Sequence, residues 1–321
     1  MNITVIMREP ISKRDFKDWS MGFSDISRHE LDQVAGINDF FLRGESFARL
    51  EPGRVKKLLE AFRHGRWRGS ISDSTPVPEK KIASPAPWPE FSFAFQPIIH
   101  APTSSIFSYE ALIRGPANES ADRILTQVPE SEMHRFDEYC RVAALELAAR
   151  IGFPARLNLN FMASSLEITP TAISSLLTTA LRCRIRPEQI VLEILESDIL
   201  HDMAGIAAAL RQHQGAGLVF AIDDFGAGYA GLNLLAEFQP TYVKLDMQLV
   251  RGTESDGPRQ AIVRGIAQTC GDLGIDIIAE GVETEAEYTW FRQEGIELFQ
   301  GYLFSPPLFE QLPASCRMPG E

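Results

Sequence analysis

No stretch of the 321-residue chain approaches the roughly 18 to 20 consecutive apolar residues that a bilayer-spanning helix needs, so no membrane is expected as a partner. The opening residues, MNITVIMREPISKRD, lack the long apolar core of a secretory signal, and the expected compartment is the cytoplasm. Cysteine is sparse and scattered: Cys140, Cys183, Cys270 and Cys316 form no CxxC pair and have no histidine pair beside them. That spacing indicates neither a zinc site nor a disulfide framework, and leaves ordinary reduced thiols. Positive charge is also short. With 31 Lys and Arg against 43 Asp and Glu, a formal charge of −12, the chain lacks the basic track that a nucleic acid polymer requires. A phosphate-bearing substrate would have to be held locally, by metal ions or a few basic groups.

What the chain does have is a division and, after it, a repeat. Residues Ser70 to Glu90, SISDSTPVPEKKIASPAPWPE, are rich in Ser and Pro and show neither helical nor strand periodicity, the composition of a semi-stiff linker. The expected segments are therefore 1–69, a linker at 70–90, a domain at 91–312 and a tail at 313–321. Within the domain, apolar β-type runs alternate with amphipathic helical stretches, the pattern of a largely parallel sheet with helices outside. Strands are expected at Phe91–Ile99, Phe107–Ile113, Arg156–Phe161, Ile190–Leu195, Leu218–Asp223, Tyr242–Leu245, Asp276–Ala279 and Leu298–Phe304. Helical segments include Glu138–Ile151, Gly205–Gln214, Pro258–Leu273 and Glu285–Glu294, with Ile262, Ile266 and Leu273 at a roughly helical apolar spacing. Eight strands in about 220 residues fit an α/β fold of the (β/α)8, TIM-like barrel type better than an open sheet. The loop at Ala101–Ser105 is too short for a helical crossover, so the first strand should run antiparallel to the second.

Acidic or amide residues recur at the last turn of each strand or just past it, where barrel enzymes assemble their sites. They are Glu110 in YEALIRG, Asn158 in LNLNF, Glu193 in VLEIL, Asp223 and Asp224 in AIDDFG, Asp246 in VKLD and Glu280 in AEGVE. Any one of these alone is ordinarily a helix cap or a solvated charge. Gathered in one barrel mouth, they would repel strongly unless cations neutralised them. An all-oxygen set without His or Cys selects Mg²⁺ or Mn²⁺ over zinc, and two such ions suit in-line attack on a phosphodiester. Lys244 lies two residues before Asp246, hence on the same strand face, and either orients the attacking water or balances the acidic mouth. The stretch DDFGAGYAGL, Asp223–Leu232, reads as a mobile loop able to present or withdraw ligands, since its glycines let the backbone bend sharply. It matches neither GxGxxG nor a GK[ST] phosphate loop. His29, His64, His100, His134, His201 and His213 fall on no shared strand end, and none is assigned a catalytic role.

From Phe91 to about Leu312 the chain resembles the EAL family of cyclic di-GMP phosphodiesterases. The resemblance rests on FQPI at Phe95–Ile98, EALIR at Glu110–Arg114, NLN at Asn158–Asn160, EILES at Glu193–Ser197, DDFGAGY at Asp223–Tyr229, KLD at Lys244–Asp246, AEGVET at Ala279–Thr284 and QGYLFSPP at Gln300–Pro307. It implies metal binding, two ions per site, by Glu110, Asn158, Glu193, Asp223, Asp224 and Asp246. It also implies Lys244 and Glu280 near the attacking water, with Glu280 as general base. Glu196 matches the glutamate that braces the Gly-rich loop, and Gln96, Arg114 and Gln300 match positions that contact or support the dinucleotide. Glu283 lies near the metal site in the family, with its role open. Two positions depart from the family pattern: YAGL where two serines often follow the tyrosine, and Asn160 where serine is usual. The implied activity is hydrolysis of cyclic di-GMP to linear pGpG, the implied assembly a homodimer, and the rival reading a catalytically inactive receptor or interaction module.

The first 69 residues resemble a partial BLUF domain, the flavin-binding blue-light sensor: Phe16, Trp19, Ser20, Met21 and Gly22 match its F-x-x-W-S-M-G-F stretch, and GINDFF with Arg54–Phe62 resemble its closing helices. The half that supplies the flavin-sensing tyrosine and glutamine has no counterpart in the sequence. A small α+β remnant that binds no FAD is therefore expected, and it should pack on the barrel or on a second subunit, because so short a segment buries too little apolar surface alone.

Overall fold

The fold was read from a computed structural model, which describes residues 88–319 except 169–171, 200–205, 207–216 and 228–230. By its contacts the chain divides into Met1–Glu79 and Lys80–Glu321, and all described residues belong to the second unit. The BLUF-like reading of 1–69 lies outside the described residues.

Among the described residues nine strands form one sheet: β1 Ser92–His100, β2 Ser105–Arg114, β3 Arg156–Asn160, β4 Ile190–Leu195, β5 Val219–Phe225, β6 Tyr242–Leu245, β7 Asp276–Ala279, β8 Leu298–Phe299 and β9 Leu308–Phe309. The order is β2-β3-β4-β5-β6-β7-β8-β1, and β1 pairs again with β2, so eight strands close into a barrel. The pairings from β2 round to β8 are parallel, whereas β1 is antiparallel to both β2 and β8. The antiparallel first strand expected from its short loop is present, and only a turn at Ala101–Ser104 separates it from β2. Outside the ring, β9 pairs with Ala94 and Phe95 of β1.

Among the described residues the α-helices are α1 Ala121–Leu125, α2 Met133–Ile151, α3 Ser165–Ile168, α4 Ala172–Arg182, α5 Glu196–Ile199, α6 Gly231–Phe238, α7 Met247–Val250, α8 Gly257–Leu273 and α9 Glu285–Gln293. Their limits follow local chemistry. Asp256 accepts from the Arg259 amide to cap α8, with Pro258 in its first turn, and Thr284 and Glu287 form a reciprocal capping box at α9. The buried face of α8 is Val263, Ile266 and Cys270, whereas Ile262 and Leu273 are 52% and 39% exposed. Of the three residues whose spacing suggested a core stripe, only Ile266 lies in it: the other two stand roughly 20 to 40° round the helix from Ile266, on the side away from Val263 and Cys270. Most of the helix expected at Gly205–Gln214 lies outside the described residues; Ile206 is helical and buried.

The last barrel strand is shorter than expected, two residues instead of seven. Its chain turns because Gly301 lies against the Val282 backbone, where a Cβ would stand 2.0 Å from the Val282 oxygen. Beyond it the chain folds back on the barrel: the Tyr109 hydroxyl donates to the Pro313 carbonyl at 2.9 Å, and Met318 is buried. No helix among the described residues is long and apolar enough to cross a membrane.

One apolar layer defines the inside of the barrel. Ile98, Val191, Ala221, Tyr242, Ile278 and Leu298 form a single buried cluster drawn from β1, β4, β5, β6, β7 and β8. Side chains two residues apart share a strand face. Two residues further on along the parallel strands stand Glu193, Asp223, Lys244, Glu280 and Gln300. On β1, which runs the other way, the matching residue comes two earlier, Gln96, and it lies opposite Glu110 in register. The polar layer thus rests directly on an apolar one, and burial of that layer holds the polar groups out of water.

Candidate active site

The hub of the polar layer is Lys244. Its Nζ lies 3.4 Å from Glu110 Oε2, 3.0 Å from Glu193 Oε2, 3.0 Å from Asp223 Oδ1 and 2.7 Å from Glu280 Oε1. The side chain is 1% exposed. Burial alone would lower the lysine's pKa, but Asp223, Glu110, Glu193 and Glu280 outweigh it and hold the ammonium well above its usual range. The carboxylates fare worse. Burial drives Glu193 and Glu280 well above ordinary values, with Lys244 offsetting only part of the rise. Asp224 is pushed up to about 6 by burial and by Asp223 and Asp246. One ammonium among four carboxylates leaves the cluster short of positive charge.

The donor set fits hard cations. Ligand oxygens of Glu110, Glu193 and Asp223 converge within 4.8 Å, as do those of Asp223, Asp224 and Glu280, so Asp223 belongs to both groups. Asn158 donates from Nδ2 to Glu193 Oε1 at 2.7 Å, which leaves its buried Oδ1 without a hydrogen-bond partner among the described residues. An orphaned amide oxygen beside unneutralised carboxylates is what an oxygen-seeking divalent ion requires, and neither sulfur nor imidazole is among the converging ligands.

Asp223 and Asp224 are adjacent, and on a regular strand they would face opposite sides. They converge because Asp224 has a left-handed φ of 53° and the β5–β6 register slips between Ile222 and Phe225. This bulge turns the second carboxylate into the mouth.

Glu110 is held from the other side: Gln300 Nε2 donates to its Oε2 at 2.7 Å and to Gln96 Oε1 at 3.3 Å, and Gln96 Nε2 donates to the Ser305 carbonyl at 3.2 Å. Both glutamines, expected to serve the dinucleotide, stand in the mouth and brace a ring carboxylate. Glu196 begins α5 and accepts from the Gly226 amide at 2.8 Å, where the Gly-rich stretch begins; Gly228 and Tyr229 fall outside the described residues. Asp246 caps α7, its Oδ1 accepting from the Gln248 amide at 2.8 Å, and it belongs to neither converging group although it is near enough to raise Asp224. Arg114 ends β2, donates to the Ile113 carbonyl at 2.7 Å and makes no ion pair among the described residues, so it is not brought onto the carboxylates. Glu283 pairs at the surface with Arg251. Asn160, one of the two departures, is exposed at the end of β3.

Sequence reasoning missed two features. Buried Glu287 accepts from three backbone amides, Gly252, Glu283 and Thr284, at 2.9 to 3.0 Å. The capping pattern Thr284-x-x-Glu287 was the available signal. The other is a buried Arg141 on α2, paired with Asp137, for which the sequence offered only an i,i+4 spacing.

A closed barrel whose strand ends gather carboxylate oxygens able to hold a metal ion defines the class of protein. The profile of the EAL domain matches residues 88–307, and the chain belongs to that family. It is 32% identical over 328 residues to the blue light- and temperature-regulated antirepressor BluF of Escherichia coli, covering 98% of this chain and 80% of that protein. It is 30% identical over 298 residues to a cyclic di-GMP phosphodiesterase of Pseudomonas aeruginosa, covering 87% of this chain but only 47% of the relative. Among solved structures, a standalone EAL protein of Vibrio cholerae bound to cyclic di-GMP superposes with a TM-score of 0.68 at 42% identity, covering 71% of this chain and 96% of that one. The manganese and cyclic di-GMP complex of Klebsiella pneumoniae BlrP1 gives 0.67 at 35% identity, covering 74% and 59%.

Proposed function

We propose that this chain hydrolyses cyclic di-GMP to linear pGpG, with Mg²⁺ or Mn²⁺ held by Glu110, Asn158, Glu193, Asp223, Asp224 and Asp246. The observation that carries the reading is Asp223 shared between two convergent oxygen groups, the arrangement that suits a pair of ions. Such ions supply polarisation of the phosphoryl oxygens and activation of water. The substrate is proposed from similarity to the Vibrio and Klebsiella proteins, whose structures hold cyclic di-GMP.

The protein's own groups then take these roles. Glu280, driven upward by burial and kept beside Lys244, takes the proton as water attacks phosphorus and one P–O ester bond breaks. Lys244 holds Glu110, Glu193, Asp223 and Glu280 in one cluster and offsets charge on the phosphoryl group. Gln300 and Gln96 orient Glu110, and Arg114 reaches the dinucleotide from the end of β2. A homodimer through the barrel, a cytoplasmic location, the segment limits given by the sequence and a flavin-free BLUF-like N-terminal segment complete the proposal. Similarity over 98% of the chain to a protein named for blue-light regulation supports the BLUF-like character of that segment; the absence of flavin is proposed from the sequence alone. Stoichiometric flavin absorbance in the pure chain would overturn it.

One observation favours a second reading. The relative matched over nearly the whole chain is named an antirepressor, so an interaction module controlled by the nucleotide is the alternative. Incubation of the pure protein with cyclic di-GMP and Mg²⁺ or Mn²⁺, with chromatographic separation of products, decides. Formation of pGpG that Glu110→Ala abolishes supports hydrolysis; tight binding without turnover supports the module.

A further inference from the structure

Arg141 lies on α2, outside the carboxylate ring, and is 2% exposed. One of its nitrogens, Nη1, pairs with Asp137 one turn earlier, while Nε and Nη2 are buried without a hydrogen-bond partner among the described residues. Unpaired N–H groups in an interior are costly, so two of the guanidinium's donors weigh against stability while its ion pair with Asp137 weighs for it. The guanidinium instead lies over the ring of Phe161, 4.5 Å from its centroid. Phe161 directly follows β3, is itself buried, and donates its amide to the carbonyl of Glu193 at 2.8 Å. Asp137 reaches the same segment through Ser165, whose hydroxyl donates to Oδ2 at 3.3 Å and meets His134 Nδ1 at 3.2 Å. Two turns of α2 thereby hold the chain leaving β3 at Phe161 and Ser165.

We propose that Arg141 and Phe161 form a clamp that positions Asn158 and Glu193 for metal binding, making Arg141 a positioning residue for the reaction. Asn158 lies three residues before Phe161, and its amide is bonded to the Glu193 side chain, whose main chain Phe161 holds. Release of the ring lets the end of β3 shift against β4 and separates an oxygen ligand from its neighbour. Outer groups that orient ligands in this way are worth about 10- to 100-fold in metal affinity or activity. The inference rests on the phosphodiesterase reading for its activity readout but not for its binding readout.

The test uses the full chain carrying Arg141→Met, Arg141→Lys or Phe161→Leu. Expected for Arg141→Met is a lowered melting temperature, because Asp137 loses its partner, and, measured well below that temperature, Mn²⁺ affinity by calorimetry and kcat each about tenfold lower, while KM for cyclic di-GMP stays near wild type. Arg141→Lys recovers part of both losses because an ammonium keeps the ring and Asp137 contacts. Phe161→Leu reproduces the Met variant's losses with Arg141 intact, and decides the matter if Arg141→Met does not fold. Wild-type Mn²⁺ affinity and kcat in Arg141→Met or Phe161→Leu overturn the clamp. A wild type that binds Mn²⁺ without turnover defeats the hydrolase reading and leaves the clamp to be judged by the affinities, and a wild type that binds no Mn²⁺ overturns both.

Discussion

Lys244 Nζ stands 2.7 Å from Glu280 Oε1, the shortest of its four carboxylate contacts, with the lysine buried and the glutamate side chain 15% exposed. The pair joins the proposed base to the cation that keeps the ring from flying apart. Lys244→Gln should lower kcat by about 10²- to 10³-fold. It should also destabilise the metal-free protein by about 3–5 kcal/mol, because four carboxylates lose their shared partner. Thermal melts with and without Mn²⁺ check this: the added ion should restore most of the lost melting temperature in the variant.

Divalent ions should stabilise the folded chain by mass action. After treatment with a chelator, Mn²⁺ and Ca²⁺ should each raise the melting temperature, whereas only Mn²⁺ or Mg²⁺ should support turnover, since calcium's larger and looser coordination misplaces the attacking water. Asp223→Asn, which touches both convergent groups, should abolish turnover and most of the thermal shift.

Gln300 donates to Glu110 at 2.7 Å. Gln300→Leu keeps much of the volume and removes the donor. The expected result is a fall in kcat of about tenfold, as for other groups that orient a ligand, with KM little changed. A raised KM at unchanged kcat would show that the residue serves the substrate alone.

Glu287 is buried, which raises its pKa, but the amides of Glu283, Gly252 and Thr284 with the Thr284 hydroxyl outweigh burial and bring it below the usual glutamate value. A depressed folded pKa means stability present above the unfolded value, about 4.3, and lost as pH falls through the folded value. Stability measured against denaturant for wild type and Glu287→Gln should differ at neutral pH and converge in acid. A difference that persists below both pKa values would contradict the assignment.

Gly301 admits no side chain, as its Cβ would meet the Val282 oxygen at 2.0 Å. Gly301→Ala should cost on the order of 1–3 kcal/mol, the range for overpacking, and displace Gln300 next to it. Denaturation midpoints measure the first effect and turnover the second.

How far these features were legible in the sequence differs residue by residue. Glu110, Glu193 and Glu280 could be placed in one mouth because strand alternation and barrel closure are short-range and topological rules. Asp223 and Asp224 were named together, yet nothing local to AIDDFG shows that a bulge must turn the second into the site. The full set of Lys244 contacts joins residues as far as 134 positions apart, which no spacing rule reaches. Arg141 and Phe161 were silent for the same reason, and Ile262 and Leu273 misled because a rough helical spacing does not identify the face that meets the sheet.

By itself the sequence determined the barrel, its antiparallel first strand, the oxygen-only character of the ring and the membership in a family, since these follow from periodicity, loop length, residue chemistry and ordered motifs. Only the tertiary structure decided which oxygens converge, that Lys244 is shared among four carboxylates, that Gln300 braces Glu110 and that Arg114 stands apart from the ring. The reason is physical: such contacts arise when closure brings distant strands to one layer, and their distances are set by packing beneath that layer, which no local stretch of sequence encodes.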